Sequence, residues 1–175
     1  MHKYLLAAAL LFAFTFVAAT RGAEEKKLAS KDSKFIMNAA TGGEMEVALG
    51  KVAATKGSSA DVKDFGQMMV DDHTKANEKL KDLATKKGVD LTKAEDKAVK
   101  QESKEEASLS KKEGADFDKD YIKMMVKDHE EDVKEFEKAS KDAEDADVKA
   151  FASETLPTLQ KHLDKAKEIQ GKIGK

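Results

Sequence analysis

The stretch Met68-Met69-Val70-Asp71-Asp72-His73 (MMVDDH, residues 68–73) recurs almost unchanged as MMVKDH at residues 124–129. Each copy ends in a histidine, His73 or His129, and the whole chain of 175 residues holds only four histidines. Around both copies, apolar residues recur at spacings of three and four, which is typical of a helix with one buried face. The repeated stretch therefore predicts two amphipathic helices that each carry a histidine on the buried face.

The same periodicity, together with residues that favour helix ends, predicts five helical segments. They run from about Ser33 to Lys56, Ala60 to Lys87, 93 to 112, Asp116 to Lys141 and Asp145 to Lys172, with Pro157 interrupting the last. Ser33 is the expected N-cap of the first segment. Thr92 and Glu95 form a capping-box pattern before the third segment.

Four of the five segments carry an apolar face. That of the first segment is predicted to contain Ile36, Ala39, Ala40, Gly43, Val47, Gly50 and Ala54. The third segment is very polar and offers only Ala98, Val99, Ala107 and Leu109 to a core. We expect it to be a crossover that lies on the outside of a bundle formed by the other four.

A second repeat, with an offset of 86 residues and no gaps, links the two halves of the chain. The matching stretches are Asp32-x-x-Phe35-Ile36 with Asp118-x-x-Tyr121-Ile122, Glu46-Val47 with Asp132-Val133, and ADVKxF at residues 60–65 with ADVKxF at residues 146–151. Two similar helical hairpins joined by a long crossover predict an all-α, ferritin-like four-helix bundle. The alternative is that sequences rich in alanine and lysine match by chance. Under this alignment His73 pairs with Leu159 and His129 with Gly43, so the two histidines are not duplicates of each other.

The N-terminus predicts export. Residues 1–19 combine a short basic start, an almost wholly apolar run and small residues at the end, as in a cleaved signal peptide. The apolar run is shorter than the roughly 20 residues of a spanning helix. Residues 20–32 are interpreted as a flexible linker and residues 33–172 as the helical domain. We expect a protein of the periplasm or cell envelope, or a secreted one, with no membrane span after cleavage; an uncleaved membrane anchor is the alternative.

Composition narrows the function classes. A net charge of −2 provides no basic surface for nucleic acid, and the absence of cysteine means that an exported domain must be stabilised by packing. Charged residues make up 38% of the chain and proline occurs once, which is typical of helices with solvated outer faces. A protein partner is compatible with this composition, although no stretch of sequence identifies one.

Three histidines and one glutamate are predicted to meet inside the bundle. His73, His129 and His162 each fall in the middle of an apolar face, and Glu46 lies among small residues of the first helix. Imidazoles with one carboxylate suit a single Zn, Cu, Fe or Mn ion. Asp72 and Asp128 directly precede two of the histidines and point about 100° away from them, so they are predicted to be outer or surface groups. Met69 and Met125 are candidate soft ligands or, more simply, core residues.

Other interpretations remain open from the residues alone. The histidines and Glu46 also fit a buried hydrogen-bonded network without metal, in a protein whose role is interaction or envelope stress. A metal-dependent redox enzyme is the weakest alternative, and no catalytic residue is assigned. The usual di-iron pattern Glu-x-x-His is missing, because Val70, Val126 and Leu159 stand three residues before the histidines.

The ordered motifs resemble a known family. They are Glu46-Val-x-Leu-Gly50, Val62-Lys-x-Phe65, Met69-Val-x-Asp-His73, Phe117-Asp-x-x-Tyr121, Met125-Val-x-Asp-His129, Phe151 and Leu156-Pro-x-Leu-x-x-His162. This set is similar to the DUF4142 family of exported bacterial proteins, often labelled outer-membrane proteins. The resemblance implies a bacterial source and a ferritin-like fold, and it implies no reaction. The outer-membrane label fits the sequence badly, because nothing after the signal reads as a membrane-spanning segment.

Overall fold

A computed structural model describes residues 27–174 of the chain, and within this range every regular element is a helix. The five helices are α1 (Ser30–Lys56), α2 (Ala60–Lys86), α3 (Thr92–Leu109), α4 (Gly114–Asp142) and α5 (Ala146–Ile173). The predicted all-α class is confirmed, as is the number of helices. The predicted signal peptide lies outside the described residues. Among the helices of the described range, none has the length and apolar character that crossing a membrane requires.

Three predicted features differ from the structure: two helix caps and one helix interruption. Helix α1 begins at Ser30, so Ser33 is not its N-cap, and residues 30–32 of the predicted linker are helical. The predicted capping box before α3 is wrong, because Asp90 accepts hydrogen bonds from the backbone N and the hydroxyl of Thr92. Helix α5 continues through Pro157, at which an interruption was predicted.

The long helices pack in a regular order around two apolar clusters. Contacts are most extensive between α1 and α2 and between α4 and α5, while α2 also contacts α5 and α1 contacts α4. The Phe35 cluster contains Phe35, Ile36, Leu80, Phe136, Val148, Phe151 and Leu159. The Tyr121 cluster contains Leu49, Val62, Phe65, Met69, Phe117, Tyr121, Ile122 and Ile169. Each of the four long helices contributes to both clusters.

The 86-residue offset reappears in the tertiary contacts. Asp32 accepts hydrogen bonds from the backbone N of residues 144 and 145, just before α5. Its equivalent, Asp118, accepts hydrogen bonds from the backbone N of residues 58 and 59, just before α2. Both aspartates are buried. The N-termini of α2 and α5 are therefore each held by a carboxylate from the other half of the chain. Matching long-range contacts at matching positions support an internal repeat over chance similarity.

The buried face of α1 is rotated relative to the prediction. Glu46, Leu49 and Ala53 are buried, whereas Val47 and Ala54 are only partly buried. The rotation brings Gly50 against Gly66 of α2, where a Cβ at residue 50 would lie 2.9 Å from the carbonyl oxygen of Gly66. This close approach of the backbones requires glycine and turns the carboxyl of Glu46 inward.

Helix α3 packs mainly on α1, as expected for a helix on the outside, but through partly different residues. Ala94, Ala98 and Leu109 are buried, while Ala107 and Val99 are exposed. Helix α3 therefore lies on the outside of the long helices and contributes only Ala94 to the Phe35 cluster and Leu109 to the Tyr121 cluster.

Candidate metal centre

A polar layer separates the two apolar clusters. It takes one side chain from each long helix: Glu46 from α1, His73 from α2, His129 from α4 and His162 from α5. All four are at most 5% exposed. Along every helix the polar residue lies between the stretch that joins the Phe35 cluster and the stretch that joins the Tyr121 cluster. The four helices therefore deliver these side chains to one level, as the positions in the sequence predict.

The three imidazoles form a triangle. Their ring centroids are 5.7 Å apart for His73 and His129, 5.2 Å for His73 and His162, and 5.4 Å for His129 and His162. One ring nitrogen from each histidine lies within 4.8 Å of the corresponding nitrogens of the other two. Such a spacing leaves room for one ion with nitrogen ligands at about 2.0–2.1 Å.

Polar contacts hold one nitrogen of each imidazole ring. The Nδ1 of His73 lies 3.0 Å from Oε2 of Glu46, and the Nε2 of His162 lies 3.0 Å from Oδ2 of Asp72. The Nδ1 of His129 lies 2.9 Å from the carbonyl oxygen of Met125, and 3.4 Å from Oε1 of Glu46. Asp72 thus has an outer position behind His162. Contacts of this kind set the tautomer and the orientation of a ligating imidazole.

The second nitrogen of every ring is buried without a hydrogen-bond partner in the described residues. These atoms are Nε2 of His73, Nε2 of His129 and Nδ1 of His162. A buried polar atom left unsatisfied costs about 1–3 kcal/mol, and native proteins rarely tolerate it. Three unsatisfied imidazole nitrogens in one buried cluster are suitable donors for a metal ion or for a bound polar molecule.

The histidines are held neutral, which is the form that binds metal. Burial, followed by the nearby His129 and His162, lowers the pKa of His73 well below its ordinary value. Burial and then His162 lower the pKa of His129 to about 4, although the Met125 carbonyl acts in the opposite direction. Burial also lowers the pKa of His162, against the effect of the Asp72 carboxylate. Near neutral pH all three lone pairs are available to a cation without prior loss of a proton.

A group of carboxyls adjoins the triangle. Burial, and then the charges of Asp132 and Asp128, raises the pKa of Glu46 well above its ordinary value. Burial, and then Asp128, raises the pKa of Asp132 to about 7. Burial raises the pKa of Asp128 to about 6, against the opposing charge of Lys127. Burial and mutual repulsion therefore favour the protonated forms of these carboxyls.

The other predicted residues lie nearby in different roles. Met69 and Met125 are fully buried in the Tyr121 cluster, where they pack as core residues, and the main-chain oxygen of Met125 supports His129. Glu46 touches the rear nitrogen of His73, on the ring edge away from the unpartnered Nε2. Asp132 was not predicted as a site residue, although the 86-residue repeat aligns it with Glu46.

Tyr121 was also not predicted to belong to this region. Its hydroxyl is buried without a hydrogen-bond partner in the described residues. Burial, and then the charge of Glu46, raises its pKa. Asp118, three residues before Tyr121, accepts hydrogen bonds from the backbone that precedes α2.

Fold and site together define a class: an all-helical protein with a buried cluster of three histidines and neighbouring carboxyls. The profile of the family described as "Domain of unknown function (DUF4142)" matches residues 17–169, which is most of the chain. The protein therefore belongs to the DUF4142 family. No curated protein and no solved structure matches it.

Proposed function

We propose that this protein is an exported, ferritin-like four-helix bundle that binds one transition-metal ion through His73, His129 and His162. The observation that carries the proposal is the buried cluster of three histidines, each with one ring nitrogen that has no hydrogen-bond partner among the described residues. Two αα-hairpins, α1–α2 and α4–α5, linked by the crossover α3, account for the helix contacts and for the 86-residue repeat.

The donor set favours a borderline metal. Three neutral imidazoles suit Zn²⁺ or copper better than Mg²⁺ or Ca²⁺, which prefer oxygen ligands. Three protein ligands leave a fourth position for water or for a small molecule. Glu46 and Asp72 are best described as outer groups that orient His73 and His162, because each touches the nitrogen that the ion does not use.

Metal analysis of the mature protein, exported to the periplasm and purified without a histidine tag, tests the proposal. We expect one equivalent of a transition metal, and we expect His129→Ala and His162→Ala to lose it. Asp72→Asn should retain the metal with an affinity weakened by about 10–100-fold, because it removes an orienting group and no ligand. Protein that neither carries a transition metal nor takes up Zn²⁺ or copper after chelation would show that the centre does not bind metal.

The second candidate is a purely structural polar core, in a protein that acts by interaction in the cell envelope. The contact of 3.0 Å between His73 and Glu46 favours it, since a buried ion pair or hydrogen bond needs no metal. If the polar core is purely structural, His73→Ala lowers the free energy of unfolding by about 1–3 kcal/mol, and neither the wild type nor the variant contains metal. The same purified variants therefore separate the two candidates.

A further inference from the structure

The three histidines lie too deep for an ion to reach them directly from the solvent. His73 is 5% exposed, and His129 and His162 are completely buried. An open cleft of about 630 Å³ lies between α1, α3 and α4, with α3 as one wall. Most of the side chains that line this cleft are polar or charged, so hydrated ions can occupy it. The cleft is therefore a candidate starting point for an ion that enters the bundle.

A small cavity of about 20 Å³ lies inside the bundle, next to His73. It is large enough for about one water molecule or one small ion. His129 and His162 do not line it. Three residues line both this cavity and the open cleft: Gly42, Glu46 and Asp132. The cleft and the cavity therefore meet at these three residues.

The packing of α1 does not require glycine at residue 42. A Cβ at this position would lie 3.9 Å from Oδ1 of Asp132, which is an ordinary van der Waals distance. At residue 43, by contrast, a Cβ would overlap the side-chain amide of Asn77. Glycine in the interior of a helix is less favourable than alanine, so Gly42 lowers stability without allowing a closer approach of two helices. What it provides is space beside Asp132.

We propose that the gap at Gly42 is the passage through which a transition-metal ion enters the three-histidine centre, an inference that rests on the proposed function. The carboxyl groups of Glu46 and Asp132 flank the gap. They supply polar oxygens to a cation that has lost part of its hydration shell, which an apolar passage would not do. His73 lines the inner cavity, so it is the first of the three ligands that the ion meets.

An entrance between α2 and α5 is the alternative route. Ala76 of α2 and Thr155 of α5 also line the small cavity, and both are partly exposed. The side at Gly42 is favoured because the open cleft reaches it and shares three lining residues with the cavity. Ala76→Val narrows the alternative entrance and therefore tests it.

Stopped-flow absorption of Co²⁺ uptake measures the rate of entry, because imidazole ligands change the visible spectrum of Co²⁺. The mature protein is stripped of metal with a chelator, freed of the chelator and mixed with Co²⁺. We expect Gly42→Val to slow uptake by about tenfold or more, because its branched side chain has to move aside for each ion. The metal content at equilibrium should stay at one equivalent, since no ligand is changed.

Ala48→Val is the matched control. Ala48 lies on the same helix as Gly42 and is likewise partly buried, but it lines a different cleft, between α1, α2 and α3. Its variant should take up Co²⁺ as fast as wild type. Circular dichroism shows whether Gly42→Val is folded. If it is not, or if its metal content at equilibrium falls, Gly42→Ala replaces it, with uptake slowed by roughly threefold.

The passage at Gly42 is disproved if the folded Gly42 variant takes up Co²⁺ as fast as wild type, or if Ala48→Val slows uptake equally. Slower uptake by Ala76→Val than by Gly42→Val would place the entrance between α2 and α5 instead. These outcomes leave the histidine site intact, because metal is still bound at equilibrium. Wild-type protein that binds neither Co²⁺ nor Zn²⁺ at equilibrium would refute the histidine site, and the passage with it.

Discussion

The two ends of the molecule are alike, whereas its middle is not. The Phe35 cluster at one end has Phe35 against Phe151, with ring centroids 6.3 Å apart. The Tyr121 cluster at the other end has their equivalents, Tyr121 and Phe65, also 6.3 Å apart. Between the ends, the repeat equivalents of His73 and His129 are Leu159 and Gly43. The ends use one packing arrangement twice, and the polar layer departs from it.

This difference indicates which residues specify the fold and which serve another purpose. The ends combine aromatic packing with buried aspartates that satisfy the N-termini of α2 and α5, and both features stabilise the folded state. Among residues 27–174, the middle holds four buried side-chain atoms without hydrogen-bond partners, on Glu46, His73, His129 and His162, and these atoms cost stability. Residues that lower stability at the centre of a well-packed core are commonly retained for function.

Truncating the aromatic packing at the ends should have the largest effect. Phe65→Ala removes a ring that is 1% exposed, and we expect the free energy of unfolding to fall by about 3–5 kcal/mol. Its equivalent Phe151→Ala should cost a similar amount at the other end. Urea denaturation followed by circular dichroism measures both. A loss below about 1 kcal/mol in one variant would show that the two clusters are not energetically equivalent.

The buried aspartates come next in size. Asp118→Ala and Asp32→Ala each remove a carboxylate that accepts two backbone hydrogen bonds, so we expect each to cost about 2–3 kcal/mol. Asp116→Ala is the matched control, because Asp116 is an exposed residue in the first turn of α4. If only one of the two substitutions lowers the free energy of unfolding, the two halves are similar in sequence but their equivalent aspartates do not contribute equally to stability.

The sequence alone predicts much of this arrangement. Periodicity locates all five helices to within a few residues, and it places His73, His129 and His162 on inward faces, because a histidine among apolar residues at helical spacing has no other face to occupy. The face of α1 was predicted less well. Its alanines and glycines give a weak pattern, and the contact between Gly50 and Gly66 decides which residues turn inward.

Contacts between distant residues are what the sequence does not reveal. Asp32 and Asp118 lie near helix N-termini, where aspartate is ordinarily a local helix residue, yet both bind backbone from the other half of the chain. Asp72 was predicted to be an outer or surface group, but its partner, His162, depends on how α2 and α5 pack. For Asp132 a signal existed, since the repeat aligns it with Glu46.

Replacing a histidine of the polar layer by leucine should stabilise the metal-free protein. His129→Leu removes the buried, unpartnered Nε2, and the carbonyl oxygen of Met125 keeps the ordinary helical hydrogen bond from the backbone of residue 129. We expect the free energy of unfolding to rise by about 1–2 kcal/mol, measured by denaturation in the presence of a chelator. Met125→Leu controls for repacking of the neighbouring apolar core. A fall in stability for His129→Leu would instead favour the structural polar network.

The smallest effect should be a dependence on pH carried by Asp132 in the metal-free protein. Because its pKa in the folded state, about 7, lies above the ordinary value of 3.8, the folded protein holds a proton that the unfolded chain has released between these two values. The contribution of Asp132 to stability is therefore complete below about pH 4 and is lost as the pH rises to about 7. With a chelator present, the difference in free energy of unfolding between wild type and Asp132→Asn should shrink by about 1 kcal/mol over this interval. The effect is this small because solvent reaches Asp132. Glu131→Gln should follow wild type throughout. A constant difference between wild type and Asp132→Asn from pH 4 to pH 7 would mean that Asp132 is already ionised in the folded protein.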